Sequence, residues 1–112
     1  MTKDPLMFIR HMLASIERIE KFMKNVAKAQ FLKNEEKQSA VMRQIEIIGE
    51  AVKNLPKSYT KKYPQVPWKD IAGMRDKLLH HYFGVDLETV WKAIQEDIPE
   101  LKKNIVRIKE NS

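Results

Sequence analysis

The sequence predicts an all-α fold, an antiparallel up-and-down bundle of four to five helices in one domain over residues 1–112. Three observations predict it. Only three glycines occur, and the five prolines punctuate the chain. Apolar residues recur three and four apart through long stretches, the spacing of a helix face. No alternating run of β-branched residues suggests a sheet. Stripes of this kind also serve pairing between chains, so a homodimer is expected.

The first helix is expected to begin at Asp4-Pro5, an N-cap followed by proline at the first helical position. Its stripe is Ile9, Met12, Ile16, Ile19, Met23 and Val26. The second runs from about Asn34 to Leu55, with Glu35 and Glu36 in its first turn and Val41, Ile45, Ile48, Val52 and Leu55 inward. LPKSYTKKYPQVP, residues 55–67, holds three prolines and reads as a loop. WKDIAGMRDKLLHHYFG reads as a third helix, with Pro67 near its start, Gly73 loosening its middle and Gly84 as its stop. The last helix starts at Asp86 and carries Leu87, Trp91, Ile94, Ile98, Leu101, Ile105 and Ile108. Pro99 lies inside it and should kink or divide it. Trp68 and Trp91 sit at stripe positions and read as core rather than as platforms for bases.

Composition narrows the function. There is no cysteine, which excludes disulfides and thiolate metal sites and fits a reducing compartment. The start, MTKDPLMFIRHMLAS, does not read as a signal peptide, because Asp4 and Pro5 precede the apolar stretch and Arg10 and His11 interrupt it. No apolar run approaches the roughly 18 residues of a spanning helix. A soluble cytoplasmic protein with no membrane partner is expected. The net charge of +6 favours anionic partners such as RNA, DNA or an acidic protein surface, although the spread of the lysines also suits a solvated charged surface. No glycine-rich phosphate loop, HExxH or nucleophile elbow appears. His11, His80 and His81 make a poor metal set, and no cofactor is expected.

One stretch stands apart: RDKLLHHY, residues 75–82. On an ideal helix of about 100° per residue, Trp68, Ile71, Ala72, Leu78, Leu79 and Tyr82 all fall within roughly 60° of Arg75. Arg75 is therefore expected at the centre of an apolar arc. A guanidinium there needs a partner, a wet cleft or an anionic ligand. Glu46 or Glu50 of the second helix could supply the partner in a purely structural pair. His80 lies about 140° away, so Arg75 and His80 do not share a face of one helix. Asp76 stands four residues before His80, within reach to orient an imidazole on a helix. Two histidines near a helix C-terminus are otherwise explained by dipole and capping contacts, and Tyr82 by an amphipathic core position.

Arg75, four residues, His80, one residue and Tyr82 together have the form R-x4-H-x-Y. This resembles the signature of the HEPN superfamily, specifically the HepT-like toxins of bacteria and archaea. Asp76 after the arginine fits that pattern. IEIIGEAVKNL, VPWKDIAGMRDKLLHHYFGVD and the following VW resemble that family's helices in the same order, so the resemblance covers nearly the whole chain. It implies a helical bundle that dimerises so that two copies of the motif face one cleft. It implies a metal-independent endoribonuclease toxin, paired with a minimal nucleotidyltransferase antitoxin that attaches AMP to the motif tyrosine, here Tyr82. On this resemblance Arg75 and His80 are catalytic, with RNA's own 2′-hydroxyl as nucleophile, and Asp76 is supporting. Only the family spacing selects His80 over His81. Two other classes stay open: a non-catalytic helical module that docks a nucleotidyltransferase, and a structural helical dimer in which Arg75 merely pairs with Glu46 or Glu50.

Overall fold

The computed structural model describes residues 4–80 and 84–112, with the side chains of residues 79, 80, 84 and 85 left out of the description. Its elements are α1 (Pro5–Met23), α2 (Lys28–Leu32), α3 (Glu35–Lys53), α4 (Lys57–Thr60), α5 (Trp68–Ala72), α6 (Met74–Leu78), a two-residue ladder of β1 (Leu79–His80) and β2 (Gly84–Val85), α7 (Leu87–Lys92), a π-helical turn (Ala93–Asp97) and α8 (Ile98–Glu110). The class is all-α, as predicted.

The long helices begin where the sequence places them. The Asp4 carboxylate accepts from the Leu6 N–H at 3.0 Å and Pro5 opens α1. The Asn34 side chain accepts from the Lys37 N–H at 3.0 Å at the head of α3, and Asp86 caps α7 by accepting from the Thr89 N–H at 3.2 Å. α1 stops at Met23, and Asn25 turns the chain with φ of 60°, a left-handed conformation that asparagine tolerates. Val26 is thus past the helix rather than on its stripe, though it still packs on the core. α2, unforeseen in the sequence, bridges α1 to α3. The Lys37 ammonium donates to the Phe22 carbonyl at 3.0 Å and the Gln38 amide to Phe31 at 2.9 Å, so the first turns of α3 satisfy the carbonyl ends of both preceding helices.

α1 packs against α3 and α8, and α3 in turn carries α5 and α6. Ile9, Met12, Ile16, Ile19, Val41, Ile45, Ile48, Ile105 and Ile108 are fully buried between the long helices. At ~1.5–3 kcal/mol for each such side chain removed from water, this interface dominates the stability. Pro99 divides the last helix as expected. Proline lacks an N–H and its ring crowds the carbonyl four residues back, and the ladder widens to a π turn over Ala93–Asp97 just before it.

The expected loop at residues 55–67 contains the short helix α4. The Trp68 indole N–H donates to the carbonyls of Thr60 and Tyr63 at 3.2 and 3.0 Å, fastening this segment to the start of α5.

The expected third helix is corrected most. It breaks at Gly73 and ends at Leu78, where the chain enters β1. Gly73 sits at φ −95°, ψ 4°, and its carbonyl accepts from the N–H groups of both Asp76 and Lys77 as α6 restarts. The absence of a sheet is corrected too, by the short antiparallel ladder that pairs Leu79 with Val85 and His80 with Gly84.

Candidate functional site

The break at Gly73 depends on a contact made by α3. Gly49 lies inside that helix, and a Cβ there would stand 3.3 Å from the Ala72 carbonyl oxygen and 3.7 Å from that of Ile71. Glycine lets the carbonyl end of α5 settle directly on α3. This close approach sets the position from which α6 departs, and with it Arg75.

Arg75 lies on the exposed side of α6, together with Asp76 and Lys77, while Met74 and Leu78 point into the core. This corrects the expectation that Arg75 centres an apolar arc. The buried face is Ile71, Met74 and Leu78, whose centre on an ideal helix lies roughly 60° from Arg75. Leu79, on that expected arc, lies past the end of the helix in β1, and Tyr82 lies outside the described residues.

Arg75 is held loosely. Its side chain is 48% exposed; Nε stands 3.5 Å from Glu46 Oε1, and Nη1 stands 3.8 Å from Asp76 Oδ1. Of the two acids proposed as structural partners, Glu46 is the one engaged. Glu50 instead stands 3.9 Å from Lys53. The other oxygen of Glu46 is 3.7 Å from Arg43 Nη1, so one carboxylate serves two guanidiniums. Ion pairs this long and this hydrated contribute at most ~1 kcal/mol each. They reach Arg75 through Nε and Nη1, both at distances longer than a good hydrogen bond, so an incoming phosphate can compete for those donors. Glu46, Gly49, Glu50, Lys53, Ala72, Arg75 and Asp76 line a shallow depression between α3 and α6.

One residue, Leu79, separates the end of α6 from the motif histidine. His80 is in β1, its backbone opposite Gly84, so the helical four-residue relation between Asp76 and His80 does not exist here. The Asp86 N–H donates to the Leu78 carbonyl at 2.9 Å, which brings the residue ending α6 against the residue capping α7. The His80 side chain, His81 and Tyr82 lie outside the described residues. Among the described residues, no group of three or more His, Asp or Glu converges as a metal site, and no helix is long and apolar enough to cross a membrane.

Sequence reasoning missed Gly49 and Arg43. A glycine within the apolar run IEIIGEAV is a signal of close backbone approach. Arg43 had no comparable mark, because its part depends on sharing Glu46.

Known proteins resemble the chain along most of its length. The family described as Ribonuclease HepT-like matches residues 12–108, a span that includes Glu46, Arg75, His80 and Tyr82. The chain is 47% identical over 110 residues to "Gamma-glutamylcyclotransferase and putative RNase MJ0434" of Methanocaldococcus jannaschii, covering 98% of this chain and 50% of that protein, so it spans half of that relative's length. It is 45% identical over 106 residues to "Putative RNase TTE0752" of Caldanaerobacter subterraneus subsp. tengcongensis, with 95% of each chain covered. It is 42% identical over 102 residues to "Probable ribonuclease HepT" of Thermococcus cleftensis, covering 91% of this chain and 93% of that one. No solved structure matches the chain significantly. With a family match across all the long helices and relatives of this identity aligned almost end to end, the chain belongs to the HepT-like ribonuclease family.

Proposed function

We propose that this protein is a metal-independent endoribonuclease toxin whose site forms where two copies meet, and which a minimal nucleotidyltransferase partner silences. The observation that carries the reading is Arg75. It is a half-exposed guanidinium restrained only by long ion pairs, on the helix that leads directly into the R-x4-H-x-Y segment of a ribonuclease family. A purely structural arginine would be expected to sit deeper and closer to its carboxylate.

The chemistry needs few groups. His80 of one copy removes the proton from the RNA 2′-hydroxyl, and the 2′-oxygen attacks the adjacent phosphorus. The bond to the 5′-oxygen breaks, and that oxygen receives a proton from His80 of the second copy. The products are a 2′,3′-cyclic phosphate and a 5′-hydroxyl. An imidazole, with a reference pKa of about 6.5, suits both roles near neutrality. Arg75 binds the scissile phosphate and stabilises the charge that builds on its oxygens. Asp76, 3.8 Å from Arg75, supports the guanidinium and is the candidate to orient the His80 imidazole. The partner would transfer AMP from ATP to the Tyr82 hydroxyl with release of pyrophosphate, adding a bulky anion to the motif segment and blocking RNA.

The test is cleavage of RNA by the purified protein in EDTA, with Arg75→Ala and His80→Ala measured beside it and the oligomeric state followed by light scattering. Cleavage by the parent, its loss in both variants and an unchanged dimer are expected. Full cleavage by both variants sinks the proposal. A parent that binds the nucleotidyltransferase but never cleaves RNA would replace it with a non-catalytic docking module. Incubation with the partner and ATP should add the mass of about one AMP or more to the peptide containing Tyr82, and Tyr82→Phe should abolish the addition.

A further inference from the structure

The lysines are spread along the chain, but the carboxylates that balance them are not. Residues 51–69 carry Lys53, Lys57, Lys61, Lys62 and Lys69 and no aspartate or glutamate. Of the 21 basic and 15 acidic side chains, the rest of the chain holds 16 and all 15, a net of +1. Nearly the whole net charge of +6 therefore belongs to one segment, and an imbalance confined in this way points to an anionic partner for that segment.

The segment folds as one fastened lobe. Leu55 and Val66 are buried on either side of α4. The Trp68 indole N–H donates to the carbonyls of Thr60 and Tyr63, which ties the end of α4 to the start of α5. The rings of Tyr59 and Tyr63, both partly buried against the core, lie 5.4 Å apart. All five lysines are exposed. Lys53 stands 3.9 Å from Glu50, whereas among the described residues Lys57, Lys61, Lys62 and Lys69 join no ion pair. Lys57 and Lys61 are the first residue and the C-cap of α4, four apart, where like charges oppose each other. The fold thus fixes unneutralised cations on one surface, and a bound polyanion would relieve their repulsion.

The lobe also adjoins the candidate site. Lys53 lines the same depression as Arg75, and α4 starts four residues after Lys53. We infer that the lobe binds the RNA strand to one side of the scissile phosphate, with Lys57, Lys61 and Lys62 each on a phosphate. RNA fits this surface better than an acidic protein for two reasons. Its phosphates repeat along one strand, as the lysines repeat along the lobe. Tyr59 and Tyr63, which are partly exposed, add aromatic surface on which a base can stack between phosphate contacts. The inference rests on the reading that this chain acts on RNA, and adds that it grips the strand well beyond the bond it cuts.

The test is fluorescence anisotropy of the full chain with a labelled 2′-O-methyl RNA of about 16 nucleotides, which lacks the 2′-hydroxyl nucleophile and so reports binding alone. Lys57→Gln, Lys61→Gln and Lys62→Gln combined should weaken binding by about tenfold or more, and three lost phosphate contacts should lower the slope of log affinity against log salt by about 2. A control removes as much charge from α8, with Lys103→Gln, Arg107→Gln and Lys109→Gln combined, and should weaken binding only about two- to threefold. All six positions are exposed, so melting temperatures should match that of the parent. No RNA binding by the parent overturns the inference, as does an unchanged slope in the lobe variant or an equal loss in the control. Loss of nucleotidyltransferase docking in the lobe variant, with RNA binding intact, also overturns it and gives the lobe to an acidic protein. Lobe-dependent binding without cleavage of ordinary RNA sinks the ribonuclease reading and leaves this inference standing.

Discussion

The α1–α3–α8 packing and the α4–β2 segment are built on opposite principles. The first buries continuous stripes of isoleucine and methionine on helices of 13 to 19 residues. The second is made of helices of four or five residues and a two-residue ladder, with Arg75, Asp76 and Lys77 all exposed. Helices that short are unstable alone, so this region borrows its shape from α3. The stable part fixes a position, and the borrowed part presents charge there. Stability and chemistry should therefore separate on mutation.

The largest expected effect tests the stable part. Ile105→Ala removes a fully buried side chain and should destabilise by about 2–5 kcal/mol, lowering the melting temperature by roughly 10 °C or more in a calorimetric scan. The folded fraction should still cleave RNA. Arg75→Ala is the complement: the rate should fall by about 10²–10³-fold, while stability stays within ~1 kcal/mol because only long, hydrated ion pairs are lost. A large loss of stability in Arg75→Ala would break the distinction and favour a structural arginine.

Gly49→Ala examines the joint between the two regions. The new methyl favours the helix by ~1 kcal/mol but meets the Ala72 carbonyl at 3.3 Å, so net stability should change by about 1 kcal/mol or less. Because α5 must shift to admit it, cleavage should fall more than stability does, by roughly tenfold. Parallel urea melts and initial rates will show this. The smallest effect belongs to Glu46→Gln. Losing a 3.5 Å pair should alter stability by less than ~1 kcal/mol and tighten RNA binding a few-fold, since Arg75 no longer shares its charge with a carboxylate. Weaker RNA binding in this variant would show that Glu46 positions Arg75 rather than competes for it.

The stable part was legible in the sequence for a physical reason. Asp4 and Asp86 cap the helices they were expected to cap, Asn34 caps the helix expected to start near it, and the isoleucines of α1, α3 and α8 bury as their spacing requires, because caps and stripes are local properties. The broken segment was not legible by the same means. A wheel assumes one uninterrupted helix, and Gly73 and the turn into β1 end that assumption within five residues on either side of Arg75. What did transfer was spacing along the chain: R-x4-H-x-Y identifies the family whether or not its residues share a helix. The pairing with Glu46 was also foreseen, though at the surface rather than in a core.

The hydrogen bond from the Asp86 N–H to the Leu78 carbonyl has a consequence for how such a site can change over time. It joins the residue that ends α6 to the residue that caps α7, so the placement of these two helix ends is held by main-chain pairing between them. Changes in the length of the chain between Leu78 and Asp86 would then leave the helical packing intact, and the spacing from arginine to histidine could drift among descendants while the scaffold beneath them stays the same.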